Sequence, residues 1–317
     1  MSPYVGRFAP SPSGPLHFGS LVTALASYLD AKHHHGQWLV RIEDIDTPRT
    51  VEGAKEDILS CLVAHGLHWD GELMIQSQRQ TSYSEHLKKV STYTYPCYCN
   101  RQRLKQIQGI YDGHCRTLAK RENTEKCKYQ QTQNNSIRLK TDQLASSEQC
   151  ESEQFTDLFQ GHQQQPIATE SGDFILRRKD GLIAYQLAVV VDDIAQGITH
   201  VVRGSDLLSS TSRQRYLWLL LNHCRHQGEA TQSTLPTYGH IPIAVISDGR
   251  KLSKQNQATA LNSQYAFNNL CQALLFLGHP PIESIKKQGA IDALLQWATT
   301  QWQRSLIPSV PTITVSG

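Results

Sequence analysis

What the chain lacks narrows its class quickly. Lys and Arg number 31 against 28 Asp and Glu in 317 residues, a net charge of only +3. No global basic field draws it to nucleic acid, so any such contact needs a local patch. Apolar runs such as residues 187–191 (LAVVV) fall far short of the roughly 20 residues of a membrane span, and no membrane partner is expected. The first residues lack the positive and apolar blocks of a secretory signal. A cytoplasmic location is therefore expected. There the eight cysteines read as thiols or metal ligands rather than disulfides. No internal repeat is evident. The length suffices for a sizeable core, one large domain with a smaller appendage.

What is present begins with residues 7–20, RFAPSPSGPLHFGS. Pro10, Pro12 and Pro15 forbid a helix or an interior strand. Yet the run joins a strand-like start (Tyr4, Val5, Phe8) to an amphipathic helix over 20–32, with Ser20 as its expected N-cap. A loop delivering the chain to a helix N-terminus is an anion-binding device. Residues 37–43 alternate and read as a strand ending at Glu43. With the first strand and helix they make a βαβ unit and predict a parallel sheet, whose ligands bind beyond the carboxyl ends of its strands.

Further along, helices are expected over 52–65, 81–91, 210–222, 264–277 and 290–303, and strands over 136–140 and 200–203. Residues 173–178 and 182–192, joined by Lys-Asp-Gly, read as a hairpin. The tail after Ile307 reads as loose. His33–His35 read as a solvated helix end, and Cys61, Cys150, Cys224 and Cys271 as small buried side chains.

Three motifs carry chemistry. His17 and Gly19 at a helix start suit a nucleotide triphosphate: glycine permits close approach and imidazole can donate to phosphate oxygens. Lys251 and Lys254, three apart in KLSKQ, can clamp phosphates. Either motif alone is weak, since lone histidines and lysine pairs are common on surfaces. Cys97, Cys99 and Cys115, with glycine turns between them, point to zinc; by spacing and donor chemistry the fourth ligand is Cys127 or His114.

In this order, HFGS and KLSKQ resemble the two signatures of class I aminoacyl-tRNA synthetases. The wording RFAPSPSGPLHFGS, RIEDID, GLHWD, QSQR, VVRGSDL and KLSKQ is similar to the glutamyl branch. The resemblance covers nearly all of the first 255 residues. It implies a Rossmann-like α/β catalytic domain in two halves, 1–93 and 173–235. A zinc-bearing insertion over 94–172, resembling an acceptor-binding domain, would separate them, and residues 236–317 would supply the lysine loop and a short helical C-terminal segment. No room is left for an anticodon-binding domain. That points to the truncated members of the branch, which pass glutamate to queuosine in the anticodon of tRNA(Asp); the alternative is a conventional enzyme charging tRNA(Glu).

Residue by residue, the resemblance implies glutamate binding by Arg7, Phe8, Ala9, Pro10, Ser11, Glu43, Tyr185 and Arg203. It implies ATP binding, with Mg²⁺, by His17, Gly19, Ser20, Lys251 and Lys254, with His17 and Lys254 catalytic. It replaces the spacing-based fourth zinc ligand with Tyr111, giving one structural zinc on Cys97, Cys99, Tyr111 and Cys115. A monomer is expected. Phe18 and Ser20 depart from the branch's usual Ile and second His, and Leu252 and Gln255 from its Met and Ser. Trp69, Arg79, Tyr83 and Arg213 are candidates for reading a single-stranded loop.

Overall fold

The computed structural model describes residues 3–107, 110–121, 135–224, 234–246 and 259–315. Cys127 and the KLSKQ loop, with Lys251 and Lys254, lie outside the described residues.

The expected βαβ unit is present. Strand β1 (Val5–Phe8) leads through the proline loop into helix α1 (Phe18–His33) and then β2 (Gln37–Ile42). The two strands pair in parallel, Val5 opposite Gln37 and Phe8 opposite Val40. Leu21, Leu25 and Leu29 of α1 are wholly buried against them, as are Trp38, Val40 and Ile42 of β2. The helix starts earlier than expected, and its cap is His17 rather than Ser20. His17 takes extended dihedrals (φ −122°, ψ 174°), and its Nδ1 accepts the Ser20 N–H at 3.4 Å. The imidazole does what a Ser or Asp oxygen does at this position. Phe18 meets the ring of Phe276 edge-on at 5.7 Å, so the departure from isoleucine fills core space.

Helix α2 (Ala54–Ala64) follows, and β3 (Met74–Ile75) extends the parallel sheet beyond β2. After α3 (Gln80–Lys89) the chain enters β4 (Thr94–Cys97), α4 (Arg101–Gln106), α5 (His114–Arg121) and β5 (Ser136–Leu139). Helix α6 (Ser146–Glu153) precedes an antiparallel hairpin of β6 (Gln154–Asp157) and β7 (Gly161–Gln164). The short α7 (Ile167–Glu170) leads to β8 (Phe174–Arg177), which completes an antiparallel sheet β4-β5-β8.

The expected hairpin over 173–192 is corrected. Its first arm is β8, but its second is a helix, α8 (Tyr185–Ala195). Leu187 through Asp193 are all buried, because α8 is covered by α3, by β8 and by the helix that follows, α9 below. A helix enclosed on several sides is apolar all round and reads like a buried strand. Tyr185 therefore sits in the first turn of a helix.

Strand β9 (His200–Gly204) lies against the free edge of β1, with the Thr199 N–H donating to the Val5 carbonyl at 3.0 Å. After α9 (Thr211–His223), β10 (Thr237–Ile241) pairs in parallel with β9, and β11 (Ile243–Val245) follows at once. Helices α10 (Ala266–Phe276), α11 (Glu283–Gln288) and α12 (Ile291–Gln301) complete the helical C-terminal segment.

The tail is not loose. Strand β12 (Thr312–Thr314) pairs in parallel with β11. Just before it, Trp302 donates its Nε1–H to Asp30 at 2.9 Å, and Arg304 grips the same carboxylate at 2.7 and 2.8 Å. Tyr4 also donates to Asp30, at 2.5 Å. One buried carboxylate on α1 thus fastens the C-terminal segment. Of the scattered cysteines, Cys61 is buried as expected, Cys224 and Cys271 are half-buried, and Cys150 is exposed.

Candidate active site

A cleft of about 580 Å³ opens where β1, β2 and β9 end. Arg7, Phe8, Ala9, Pro10 and Ser11 line it from β1 and the loop beyond, Glu43 from the end of β2, Arg203 from β9 and Tyr185 from the start of α8. His17, Gly19 and Ser20 close it at the start of α1. Every sequence candidate for the cleft that lies among the described residues is thus in one cavity. The segment after the lysine loop is also pinned there: Ala260 bridges His17 in antiparallel fashion, and the Leu261 N–H donates to the Leu16 carbonyl at 2.9 Å.

Beneath the cleft lies a charged floor that the sequence does not announce. Arg41, wholly buried on β2, donates to Asp193 at 2.7 Å, to Gln196 at 2.8 Å and to Glu43 at 3.3 Å. Arg7 donates its Nε–H to the same Asp193 at 3.2 Å. Burial alone would raise the Asp193 pKa, but Arg7 and Arg41 together hold it below the usual carboxylate range. Glu43 behaves oppositely: burial pushes its pKa up and outweighs Arg41 and Arg7. A cation arriving in the cleft would favour the charged form of Glu43. Asp192, next in the chain, lies 3.9 Å from Arg41 Nε and accepts from Gln76 (2.8 Å), Arg79 (2.6 Å) and Tyr83 (2.8 Å). Tyr83 is wholly buried, so two of the four candidate loop readers, Arg79 and Tyr83, serve this carboxylate. Trp69 packs against the main core.

Arg203 is held on a second chain of bonds. Its Nε–H donates to His240 Nε2 at 2.9 Å, Nη1 to Gln214 at 2.7 Å, and Nη2 to Thr211 at 2.9 Å and the Leu207 carbonyl at 3.2 Å. These four leave one of the guanidinium's five N–H groups for a guest. His240 in turn donates from Nδ1 to Asp157 at 2.5 Å. Burial, helped by the charges of Arg203 and Arg7 and opposed by Asp157, brings the His240 pKa down to about 4. The ring is therefore neutral near pH 7, with its lone pair on Nε2 aimed at Arg203. Asp157 comes from the β6–β7 hairpin and His240 from β10. Neither the histidine nor its acid carries a signal in the sequence; only their nearness in space gives them a role.

At the other wall, His17 Nδ1 accepts the Ser20 N–H. That bond puts the proton of the neutral ring on Nε2, the nitrogen a phosphate oxygen would meet.

The cysteine motif forms a separate, local centre. Cys97 ends β4, Cys99 follows it and Cys115 opens α5; their sulfurs lie within 4.8 Å of one another. Cys99 and Cys115 are 3.5 Å apart, close to the ~3.7 Å that tetrahedral geometry requires at zinc–sulfur distances of about 2.3 Å. The Tyr111 hydroxyl stands 3.5 Å from Cys97 and 3.8 Å from Cys99, and accepts the Cys115 N–H at 2.9 Å. Three soft donors and a phenol oxygen converge, so the residues fit a metal. His114 is exposed and is not part of the group.

Tyr111 is placed by its pairing with Gly172, which has φ +61°; a Cβ there would stand 2.3 Å from the Tyr111 carbonyl oxygen. Arg138 of β5 was not foreseen. It donates to Cys97 Sγ at 3.3 Å and lies 3.8 Å over the Tyr111 ring. Burial would raise the Cys97 thiol, but its bonds to Tyr111, the Cys99 backbone and Arg138 bring it down to about 7. Burial and the neighbouring Cys115 and Cys97 push Cys99 up to about 11.

Comparison with known proteins shows the family. Residues 4–278 match the family described as tRNA synthetases class I (E and Q), catalytic domain. A Colwellia psychrerythraea protein named glutamyl-Q tRNA(Asp) synthetase is 48% identical over 313 residues, 96% of this chain and 92% of its own. A protein of the same name from Serratia proteamaculans is 46% identical, again over 96% and 92%. The crystal structure of glutamate-tRNA synthetase from Elizabethkingia anophelis superposes with a TM-score of 0.73 over 99% of this chain and 68% of that one, at 23% identity, a likeness of fold.

Proposed function

Because the chain belongs to the class I tRNA synthetase family (E and Q), we propose that it activates glutamate with ATP in the absence of tRNA and then transfers it to queuosine in the anticodon of tRNA(Asp). One observation carries the reading. A single cleft gathers two arginines, a buried acid and a tyrosine on one side, and a histidine-capped helix start on the other. Glutamate needs cations for two carboxylates and an acid for its ammonium. Arg7 and Arg203 serve the carboxylates, Glu43 the ammonium, and the Tyr185 hydroxyl, held protonated by burial, donates a hydrogen bond. Phe8, Ala9, Pro10 and Ser11 shape the wall beside them.

An oxygen of the glutamate α-carboxylate attacks the α-phosphorus of ATP. The new P–O bond forms as the bond to the bridging oxygen breaks, and pyrophosphate leaves with that electron pair. No protein nucleophile is needed; the protein positions the reactants and stabilises charge. His17 Nε2–H, the Ser20 hydroxyl and Lys251 and Lys254 meet the phosphates, and Gly19 lets them approach. Mg²⁺ comes with ATP. An acceptor hydroxyl then attacks the activated carbonyl, AMP leaves, and the hydroxyl proton passes to solvent. Cys97, Cys99, Tyr111 and Cys115 would hold one zinc ion, with Arg138 offsetting the ligands' negative charge; the ion would fasten the inserted module and supply no step of the chemistry. The enzyme acts as a monomer.

The test uses ATP and labelled glutamate. Exchange of pyrophosphate into ATP is expected without tRNA, and label is expected on tRNA(Asp) from queuosine-containing cells but not from queuosine-deficient ones. Label on tRNA(Glu) instead would overturn the acceptor assignment.

A further inference from the structure

The bonds that aim Arg203 end in a stretch of chain that does not line the cleft. Asp157 closes β6, within residues 94–172, whose sequence reads as an insertion. The turn between β6 and β7 is laid on β10: the Leu158 N–H donates to the Tyr238 carbonyl at 2.9 Å, and Gln160 Nε2 donates to the His240 carbonyl at 2.8 Å. Gly239 permits this close approach, since a Cβ there would stand 2.6 Å from the buried Phe159 ring. The two oxygens of Asp157 have separate duties. Oδ1 accepts the backbone N–H groups of Phe159, Gln160 and His240, each at 3.0 Å. Oδ2 accepts from His240 Nδ1 at 2.5 Å.

We infer that Asp157 is a positioning residue for the glutamate pocket: it fixes the tautomer of His240, and through that ring it holds the Arg203 guanidinium at the cleft. The inference rests on the proposed role of Arg203 in binding glutamate and adds what aims it. A neutral imidazole carries one ring proton. With that proton on Nδ1, Nε2 accepts the Arg203 Nε–H at 2.9 Å. With the proton on Nε2, two donors would face each other across the same distance. The Thr211 hydroxyl, 3.2 Å from Nε2 and 2.9 Å from Arg203 Nη2, would then be drawn to the ring instead of the guanidinium. Two of the bonds on Arg203 thus depend on where one proton sits, and the carboxylate of Asp157 decides it. A buried acid can hold an imidazole in its working tautomer without itself touching substrate. Asp157, His240 and Arg203 are all buried, so solvent does not make good a lost bond.

Asp157→Asn separates this role from folding. The amide oxygen is expected to stay at the Oδ1 position, because a flip would turn its NH2 group on three backbone donors. Nδ2 then donates to His240 Nδ1 and drives the ring proton to Nε2. In the full-length protein, KM for glutamate in pyrophosphate exchange is expected to rise roughly tenfold or more, with KM for ATP within about twofold. The same substitution added to His240→Asn should raise KM by less than about twofold further, since the ring it acts through is gone. Nitrogen NMR of the imidazoles gives a readout free of activity. The His240 signals, identified by their loss in His240→Asn, are expected to show a neutral Nδ1–H ring near pH 7 in the wild type and an Nε2–H ring in Asp157→Asn. An Nε2–H or charged ring in the wild type overturns the inference, whether or not the variant folds. Unchanged glutamate kinetics in Asp157→Asn also overturn it, as do effects of the two substitutions that simply multiply. If Arg203→Ala leaves KM for glutamate unchanged, the glutamate reading of Arg203 falls and its positioning with it. If Arg203→Ala raises that KM and Asp157→Asn does not, the positioning role alone falls.

Discussion

The cysteine module takes its four converging side chains from positions 97, 99, 111 and 115, whereas the floor of the cleft joins Arg7 to Asp193 and Arg41 to Gln196 across 186 and 155 residues. The first centre is local in sequence and needs only a strand end, two turns and a helix start. The second exists only once β1, β2, β9 and α8 have assembled. The difference predicts different modes of failure. The module should lose its metal without losing the fold. The cleft should not lose its buried charges without weakening the fold, because removal of one partner strands the others in a low-dielectric interior.

Asp193→Ala is the largest test. It leaves Arg7 and Arg41 facing each other beneath the cleft without the carboxylate they share. A destabilisation of about 3–5 kcal/mol is expected, seen as a lower urea midpoint with an unchanged slope. A loss below ~1 kcal/mol would show that the floor is not structural.

Arg203→Ala probes the same region with a side chain that lines the cleft. Losing a charged hydrogen bond costs about 1.5–3 kcal/mol, so KM for glutamate should rise roughly 10- to 100-fold while KM for ATP moves less than about twofold. Unchanged glutamate kinetics would remove Arg203 from the site. Tyr111→Phe makes the matching test in the module. Removing the hydroxyl of a direct ligand should weaken metal binding by at least the roughly 10- to 100-fold that loss of an outer-shell partner costs, with the urea midpoint of the catalytic half nearly constant. Full retention of zinc in metal analysis would direct the search to another fourth ligand.

How much of this could be read from the sequence follows the same division. The β1–α1–β2 unit was legible because Trp38, Val40 and Ile42 alternate and Leu21, Leu25 and Leu29 recur at helical spacing. The cysteine centre was legible because its converging side chains are close in sequence. Helix α8 was not, since LAVVV is rich in β-branched residues and buried on all sides, and periodicity vanishes where no face meets water. The cap was misassigned because Ser20 is the usual residue type for that position, while His17 needed its ring placed in space. His240, Asp157 and Arg138 had no signature, since each acts on a residue distant in sequence; Gln214 is near Arg203 in the chain but belongs to no motif.

His240→Asn breaks the comparison more gently. Asn keeps a side-chain N–H for Asp157 but offers nothing to the Arg203 Nε–H. A rise of about tenfold in KM for glutamate is expected, with kcat for exchange nearly unchanged. The variant also has a pH signature. Folded His240 titrates near 4 against about 6.5 in an unfolded chain. The unfolded state therefore binds more protons between these values. The stability contribution is fully present above pH 6.5 and is lost as pH falls towards 4. His200, also held near 4 by burial and the nearby Arg304 charge, adds a similar slope that the variant keeps. His240→Asn should therefore show a shallower loss of stability between pH 6.5 and 4. An identical slope would place the titration elsewhere.

Ser20→Ala should have the smallest effect, and the reason lies in the backbone. Ser20 stands where the branch usually has a second histidine, which reads as a weakened phosphate site. In the structure its N–H, not its hydroxyl, makes the cap bond to His17, and alanine keeps that N–H. The helix start and the His17 tautomer therefore survive the substitution. Only a hydroxyl on the cleft wall is lost, and a single neutral hydrogen bond is worth about 0.5–1.5 kcal/mol. Pyrophosphate exchange should fall no more than about tenfold, with KM for glutamate unchanged. A fall of a hundredfold or more would mean that the hydroxyl itself carries the role of the missing imidazole. The division of work at this helix start would then shift from His17 to Ser20.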